Sequence, residues 1–149
     1  LWKLIKEEKT ANSLRLFTNV AVIRARYYDS EESAFEGNQV EWVPPLNIKT
    51  GLTFGRGGFH VQGLFTFVSE HFTDATNAVF DPYAVSGIIP TYWVSDVSMG
   101  FEWKVWTIEA SCNNVTNNSY FTRRAAGYPG PGIIPANPRT FTLTLGLTL

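Results

Sequence analysis

The chain has 149 residues, room for one ordinary domain, and its 12 Lys+Arg against 13 Asp+Glu exclude the basic face a nucleic-acid binder needs. One cysteine excludes a disulfide framework and a Cys-rich metal site. Charged residues at 17%, against about 25% in an average soluble domain, with 15% aromatics leave a β-rich globular domain or a membrane β-barrel.

The opening Leu1-Trp2-Lys3 reads as the interior of a longer chain, with no signal peptide visible and no apolar run of about 18 residues to make a transmembrane helix. A stub over 1–5 and a polar link over 6–13 precede the first predicted strand, 14–28. There Phe17, Ala21, Ile23, Ala25 and Tyr27 share one face against Thr18, Arg24 and Arg26, and Asn19 breaks the pattern. Residues 47–54 set Ile48, Leu52 and Phe54 against Asn47, Lys49 and Thr53. A tight Arg56-Gly57-Gly58 turn leads into 59–68, where Phe59, Val61, Phe65 and Phe67 oppose His60, Gln62 and Thr66. Residues 92–103 set Trp93, Val97, Met99, Phe101 and Trp103 against Asp96, Ser98 and Glu102. After a short turn at Lys104, residues 105–113 set Trp106, Ile108, Ala110 and Cys112 against Thr107, Glu109, Ser111 and Asn113. The last strand alternates Phe141, Leu143, Leu145, Leu147 and Leu149 with Thr140, Thr142, Thr144, Gly146 and Thr148.

Short turns alternate with three long connections, 29–46, 69–91 and 114–138, which is the meander of an outer-membrane barrel. A lipocalin-like barrel that binds a small apolar ligand would alternate in the same way but bury its apolar face inside. The apolar faces of the five clean strands carry no Asp, Glu, Lys, Arg or His, and the opposite faces are rich in Thr and Ser. That favours lipid outside and a polar lumen, because a mid-membrane charge costs about 2–4 kcal/mol. Trp103 and Trp106 at one end, and Tyr27, Tyr28, Tyr92, Trp93, Tyr120 and Phe121 at the other, stand at the two girdle positions. Six strands do not close a membrane barrel, so further strands or a second chain must complete the sheet.

Asn113-Asn114-Val115, the run Tyr120-Phe121-Thr122-Arg123-Arg124-Ala125-Ala126-Gly127-Tyr128-Pro129-Gly130-Pro131-Gly132-Ile133-Ile134-Pro135-Ala136, and Pro138-Arg139-Thr140-Phe141 together resemble the C-terminal end of TonB-dependent outer-membrane receptors, the ferric-citrate-receptor-like group in particular. Glu70-His71-Phe72-Thr73-Asp74-Ala75 with the following Asn77, and Gly87-Ile88-Ile89-Pro90 before Tyr92, look similar too, while Val115-Thr116 and the terminal Leu149 depart from the family's usual Leu-Phe and Phe. The resemblance implies an all-β antiparallel meander forming part of a barrel of about 22 strands. Residues 1–149 would be its C-terminal part, about six strands plus a stub, without the plug domain. It further implies a bacterial outer-membrane location, import of a ferric chelate such as iron-citrate or a siderophore, TonB acting through the plug, and contact with lipid and lipopolysaccharide.

The external-loop motif is Tyr120, Phe121, Thr122, Gly127, Tyr128, Pro129, Gly130, Pro131 and Gly132, its Pro-Gly run fixing loop shape. Arg123, Arg124 and Arg139 offer guanidinium forks that match carboxylates, as an iron-citrate complex presents; the plainer reading ties them to neighbouring loops or to lipopolysaccharide. Arg24, Arg26, Lys49, Asp96, Glu102 and Glu109 are expected to point inward with His60. Glu70, His71 and Asp74 form a weak cation candidate, and Cys112 reads as a small hydrophobe. No catalytic set appears, so neither an enzyme nor a cofactor is expected. A small structural barrel protein that pairs with a second chain is the third class open to the sequence.

Overall fold

The computed structural model describes residues 12–127 and 130–148, so the stub and most of the polar link expected over 1–13 lie outside the described residues. Among the described residues ten strands run in chain order: β1 Ser13–Val22, β2 Leu46–Arg56, β3 Phe59–Val68, β4 His71–Phe72, β5 Ile88–Ile89, β6 Tyr92–Trp103, β7 Trp106–Asn113, β8 Phe121–Ala125, β9 Gly132–Pro135 and β10 Thr140–Leu147. Six of them form one antiparallel sheet in the order β1-β2-β3-β6-β7-β10, a meander of sequence neighbours. These long strands have 8 to 12 residues, the span a tilted strand needs to cross a bilayer.

The turns sit where glycine and a left-handed residue permit them. Gly57 takes φ 59° between β2 and β3, and Lys104 takes φ 55° between β6 and β7. These two turns are neighbours, joined by the Glu102 N–H donating to the Gly58 carbonyl at 2.9 Å. The three long connections all emerge at the other end of the sheet.

Register fixes the faces. Leu16, Leu52, Gly63, Val97, Cys112 and Phe141 lie in one cross-strand row, and Leu14, Phe54, Val61, Met99, Ala110 and Leu143 lie in the next. Their side chains share the apolar face, since directly opposed residues in an antiparallel pair point the same way. Among the described residues nothing covers that face: Leu14, Leu16, Phe141 and Leu143 are 68–76% exposed. The opposite face carries Arg15, Lys49, His60, Gln62, Asp96, Ser98, Glu109, Ser111 and Thr142.

Two expectations for the first strand are corrected. Its apolar-face residues are Leu14, Leu16, Val20 and Val22, which pair with Phe54, Leu52, Ile48 and Leu46. Phe17 and Ala21 fall on the polar face instead, opposite Gly51 and Asn47. The physical reason is a packing slot: Gly51 has no side chain, and the Phe17 ring fills the place where a Cβ would stand. The strand also stops at Val22 rather than running to residue 28, so Arg24 and Arg26 are not on the sheet. Arg26 bridges to Gln39 and donates to the Gly37 carbonyl at 2.5 Å within the first long loop.

Candidate functional site

The buried side chains gather at the long-loop end. Val68, Ile89 and Ala125 are the buried apolar residues among those described, with His71, Thr73 and Asn114 the buried polar ones. The described parts of the loops 23–45, 69–91 and 114–139 meet there through hydrogen bonds and carry two small ribbons, β4–β5 and β8–β9.

Asparagine amides stitch the first loop to the second. The Asn77 side chain imitates a backbone partner: its Oδ1 accepts from the Gln39 N–H at 2.7 Å, and its Nδ2 donates to the Gln39 carbonyl at 2.8 Å. Asn38 Nδ2 donates to the carbonyls of Ala34 and Ala75, both at 3.0 Å, and the Trp42 N–H donates to the Phe72 carbonyl at 2.8 Å. Tyr27 donates to Glu41 at 2.6 Å, a bond that holds its phenol above the usual range. Within the second loop, Asp81 accepts from the N–H groups of Tyr83, Val85 and Ser86 and from the Ser86 hydroxyl at 3.0–3.2 Å. The Tyr83 N–H, aided by the Ser86 and Val85 contacts and opposed by burial, holds the Asp81 carboxyl below its ordinary value.

The third loop is anchored twice. At its start, Asn114 adopts φ 50° and is 3% exposed. Its N–H donates to Asp96 at 2.8 Å, its Nδ2 to the carbonyls of Asn118 and Asn137, and its Oδ1 accepts from the Asn118 N–H. Beyond β7, the Val115 N–H and the Asn118 side chain continue the ladder onto Ser95 and Trp93 of β6. The second anchor is Arg124. Its guanidinium donates to the carbonyls of Ala84 at 2.9 Å and Ile88 at 2.7 Å and lies over the Phe121 ring at 5.1 Å.

The three candidate arginines therefore stand in different surroundings. Arg124 is half-buried and engaged with the second loop, its Nε enclosed without a partner. Arg123, the adjacent β8 residue, is exposed and pairs across the ribbon with Ile134. Arg139 is exposed just before β10, its N–H on Asn117 Oδ1 at 3.0 Å. Tyr120 stacks on Tyr92 at 4.9 Å, and its carbonyl accepts from the Ala136 N–H. Gly127 and Pro131 are exposed at the ribbon's tip, and Thr122 is exposed near its base, beside the Phe121–Pro135 pair. Gly130 donates to the Gly127 carbonyl at 2.6 Å, and Gly132 takes φ 129°, a conformation that favours glycine. Tyr128 and Pro129 lie outside the described residues.

Glu70, His71 and Asp74 do not converge. His71 is buried with Nδ1 on the Ser69 carbonyl at 3.0 Å, Asp74 is taken by Thr76, and Glu70 is exposed. Among the described residues no group of three metal-ligating side chains is assembled. His60 lies on the polar face, packed on Gly100. Asn38 and Asp81, which the sequence reading passed over, organise the loop body together with Asn77, whose positive φ is the local mark of such a role.

No curated protein matches the sequence at a significant level. The fold is similar to that of the unliganded ferric citrate transporter FecA, with a TM-score of 0.80 at 20% identity over 90% of this chain and 21% of that one. It is similar to the ferric yersiniabactin uptake receptor FyuA from Yersinia pestis, with a TM-score of 0.72 at 19% identity over 90% and 21%. A third likeness is the ferric-catecholate import receptor Fiu from K12 E. coli, with a TM-score of 0.70 at 15% identity over 90% and 18%. The chain thus spans about a fifth of the length of these receptors. The family described as TonB dependent receptor-like, beta-barrel matches residues 2–115. Barrels of that family are receptors and transporters of Gram-negative outer membranes. With its alternating faces, its meander and its stitched loops matched over most of its length, the chain belongs to the TonB-dependent receptor β-barrel family.

Proposed function

We propose that this chain is wall and external loops of an outer-membrane importer of an anionic ferric chelate, of the ferric-citrate or siderophore class. The observation that carries the reading is the stitched loop body over one end of a sheet whose two faces are apolar and polar. Arg124 holds the β8–β9 ribbon against the second loop, and Arg123 and Arg139 remain exposed to meet carboxylate or catecholate oxygens. The polar face would line the transport path, with the remaining strands pairing along the free edges of β1 and β10, because unpaired edges are costly in lipid. The chain would then be the C-terminal part of the barrel, with a plug supplied elsewhere in the same polypeptide as the element TonB acts on. Lipopolysaccharide would meet the rim of the loop body. The reading makes the chain a receptor element, with no reaction of its own.

In the whole receptor, Arg123→Ala with Arg139→Ala is expected to weaken ferric-citrate binding at least tenfold, read by isothermal titration, with the barrel still folded. Each charge-assisted bond contributes about 1.5–3 kcal/mol, so losing even one accounts for that factor. Unchanged binding of ferric citrate and of catecholate chelates in the double variant would remove these arginines from capture.

A further inference from the structure

The short-turn end of the apolar face carries two cations that no strand chemistry requires. Arg56 ends β2 in the cross-strand row of Phe59, Phe101, Ile108 and Leu145. In the next row out, Trp103 faces Trp106, and the Lys104 ammonium lies 5.0 Å from the centre of the Trp103 ring. Arg56 and Lys104 are both exposed, and the register places no carboxylate on this face. The aromatic residues beneath them are open as well: Phe59, Phe101, Trp103 and Trp106 are 39–57% exposed.

Two rows further along the same strands is a shallow groove of about 320 Å³, lined by Leu16, Leu52, Gly63, Phe65 and Val97, with Asp96, a residue of the opposite face by register, also at its lining. Gly63 makes the groove. Its neighbours in the row are Leu52 and Val97, and a Cβ placed on it would meet nothing within 4 Å. Four residues separate Gly63 from Phe59, about 13 Å along the strand. An extended hydrocarbon chain covers that distance from a headgroup at the rim.

We propose that this is a site for one anionic phospholipid of the leaflet at the short-turn end. Arg56 and Lys104 take the phosphate, the Trp103–Trp106 pair sits at the glycerol level, and an acyl chain lies over Gly63. Three observations on the face combine in it: two exposed cations at one end of a face whose register holds no acid, an open aromatic row, and a slot at Gly63 in line with both. The site rests on the barrel reading above, since only a bilayer brings such a molecule to this face.

The test uses the whole receptor in detergent, with native mass spectrometry against phosphatidylglycerol and phosphatidylcholine at equal concentration. Wild type is expected to retain phosphatidylglycerol preferentially. Each cation contributes roughly fivefold near a membrane surface, so Arg56→Gln with Lys104→Gln is expected to lower phosphatidylglycerol retention about 25-fold. Gly63→Leu, which fills open space, is expected to lower retention of the lipid while leaving the heat-modifiable mobility of the folded barrel unchanged. Equal retention of the two lipids, or wild-type retention in both variants, overturns the site and leaves the barrel standing. A receptor that stays in solution without detergent overturns the barrel reading and the lipid site together.

Discussion

Arg124→Ala is expected to open the external loops while the sheet stays intact. Its guanidinium makes two bonds to main-chain carbonyls of the second loop, at Ala84 and Ile88. Charge-assisted bonds contribute about 1.5–3 kcal/mol each, and removing them strands two carbonyls near the buried Ile89 and Ala125. With partial exposure discounted, about 3 kcal/mol of local stability is lost, a factor of roughly 100 in opening. Hydrogen exchange on the whole receptor should show it at Thr73 and Ala136, whose N–H groups bond the Gly87 and Tyr120 carbonyls. Exchange within β3 and β6 should not change. Arg124→Lys is expected to recover little, since one ammonium does not reproduce a planar fork on two carbonyls. Unchanged exchange in the alanine variant would mean that the loop body is held by its apolar contacts alone.

Asn114→Ala is expected to be the most destabilising single change at the root of the third loop, at about 3 kcal/mol. The side chain makes three hydrogen bonds in a place only 3% exposed, and alanine leaves the Asn118 N–H and two carbonyls without their partner. Asn114→Gly separates the two contributions. Glycine accepts the φ of 50° at no cost but restores no bond, so it is expected to recover less than half of the loss. Denaturant unfolding of both variants in detergent checks this. A glycine variant as stable as wild type would show that backbone conformation, and not the amide network, selects asparagine here.

The long strands were legible because a sheet with one apolar and one polar face enforces strict alternation: residues 59–68 and 92–103 match β3 and β6 end to end. The turns were legible from glycine at 57–58 and from the tryptophans around Lys104. The first strand misled because Phe17 is apolar yet faces the polar side. Its partner is a glycine on the neighbouring strand, a relation that pairing creates and a single strand does not show. The loop body was legible only as loop. β4 and β5 have two residues each, too short for any period to register. The amides of Asn38, Asn77 and Asn114 act through contacts up to 38 residues away. Arg123 and Arg124 look alike in sequence, and only the neighbouring loop distinguishes the anchored side chain from the exposed one.

The account's central claim is that the face bearing Val61, Phe65 and Val97 meets lipid and the face bearing Gln62, Thr66 and Ser98 meets water. Single nitroxide labels at these six positions, in the whole receptor reconstituted into bilayers with Cys112 replaced by serine, test it directly. The account predicts strict alternation along each strand, with Val61, Phe65 and Val97 accessible to oxygen and Gln62, Thr66 and Ser98 accessible to a water-soluble nickel chelate. The reverse alternation, or accessibility of both faces to the chelate, would contradict it.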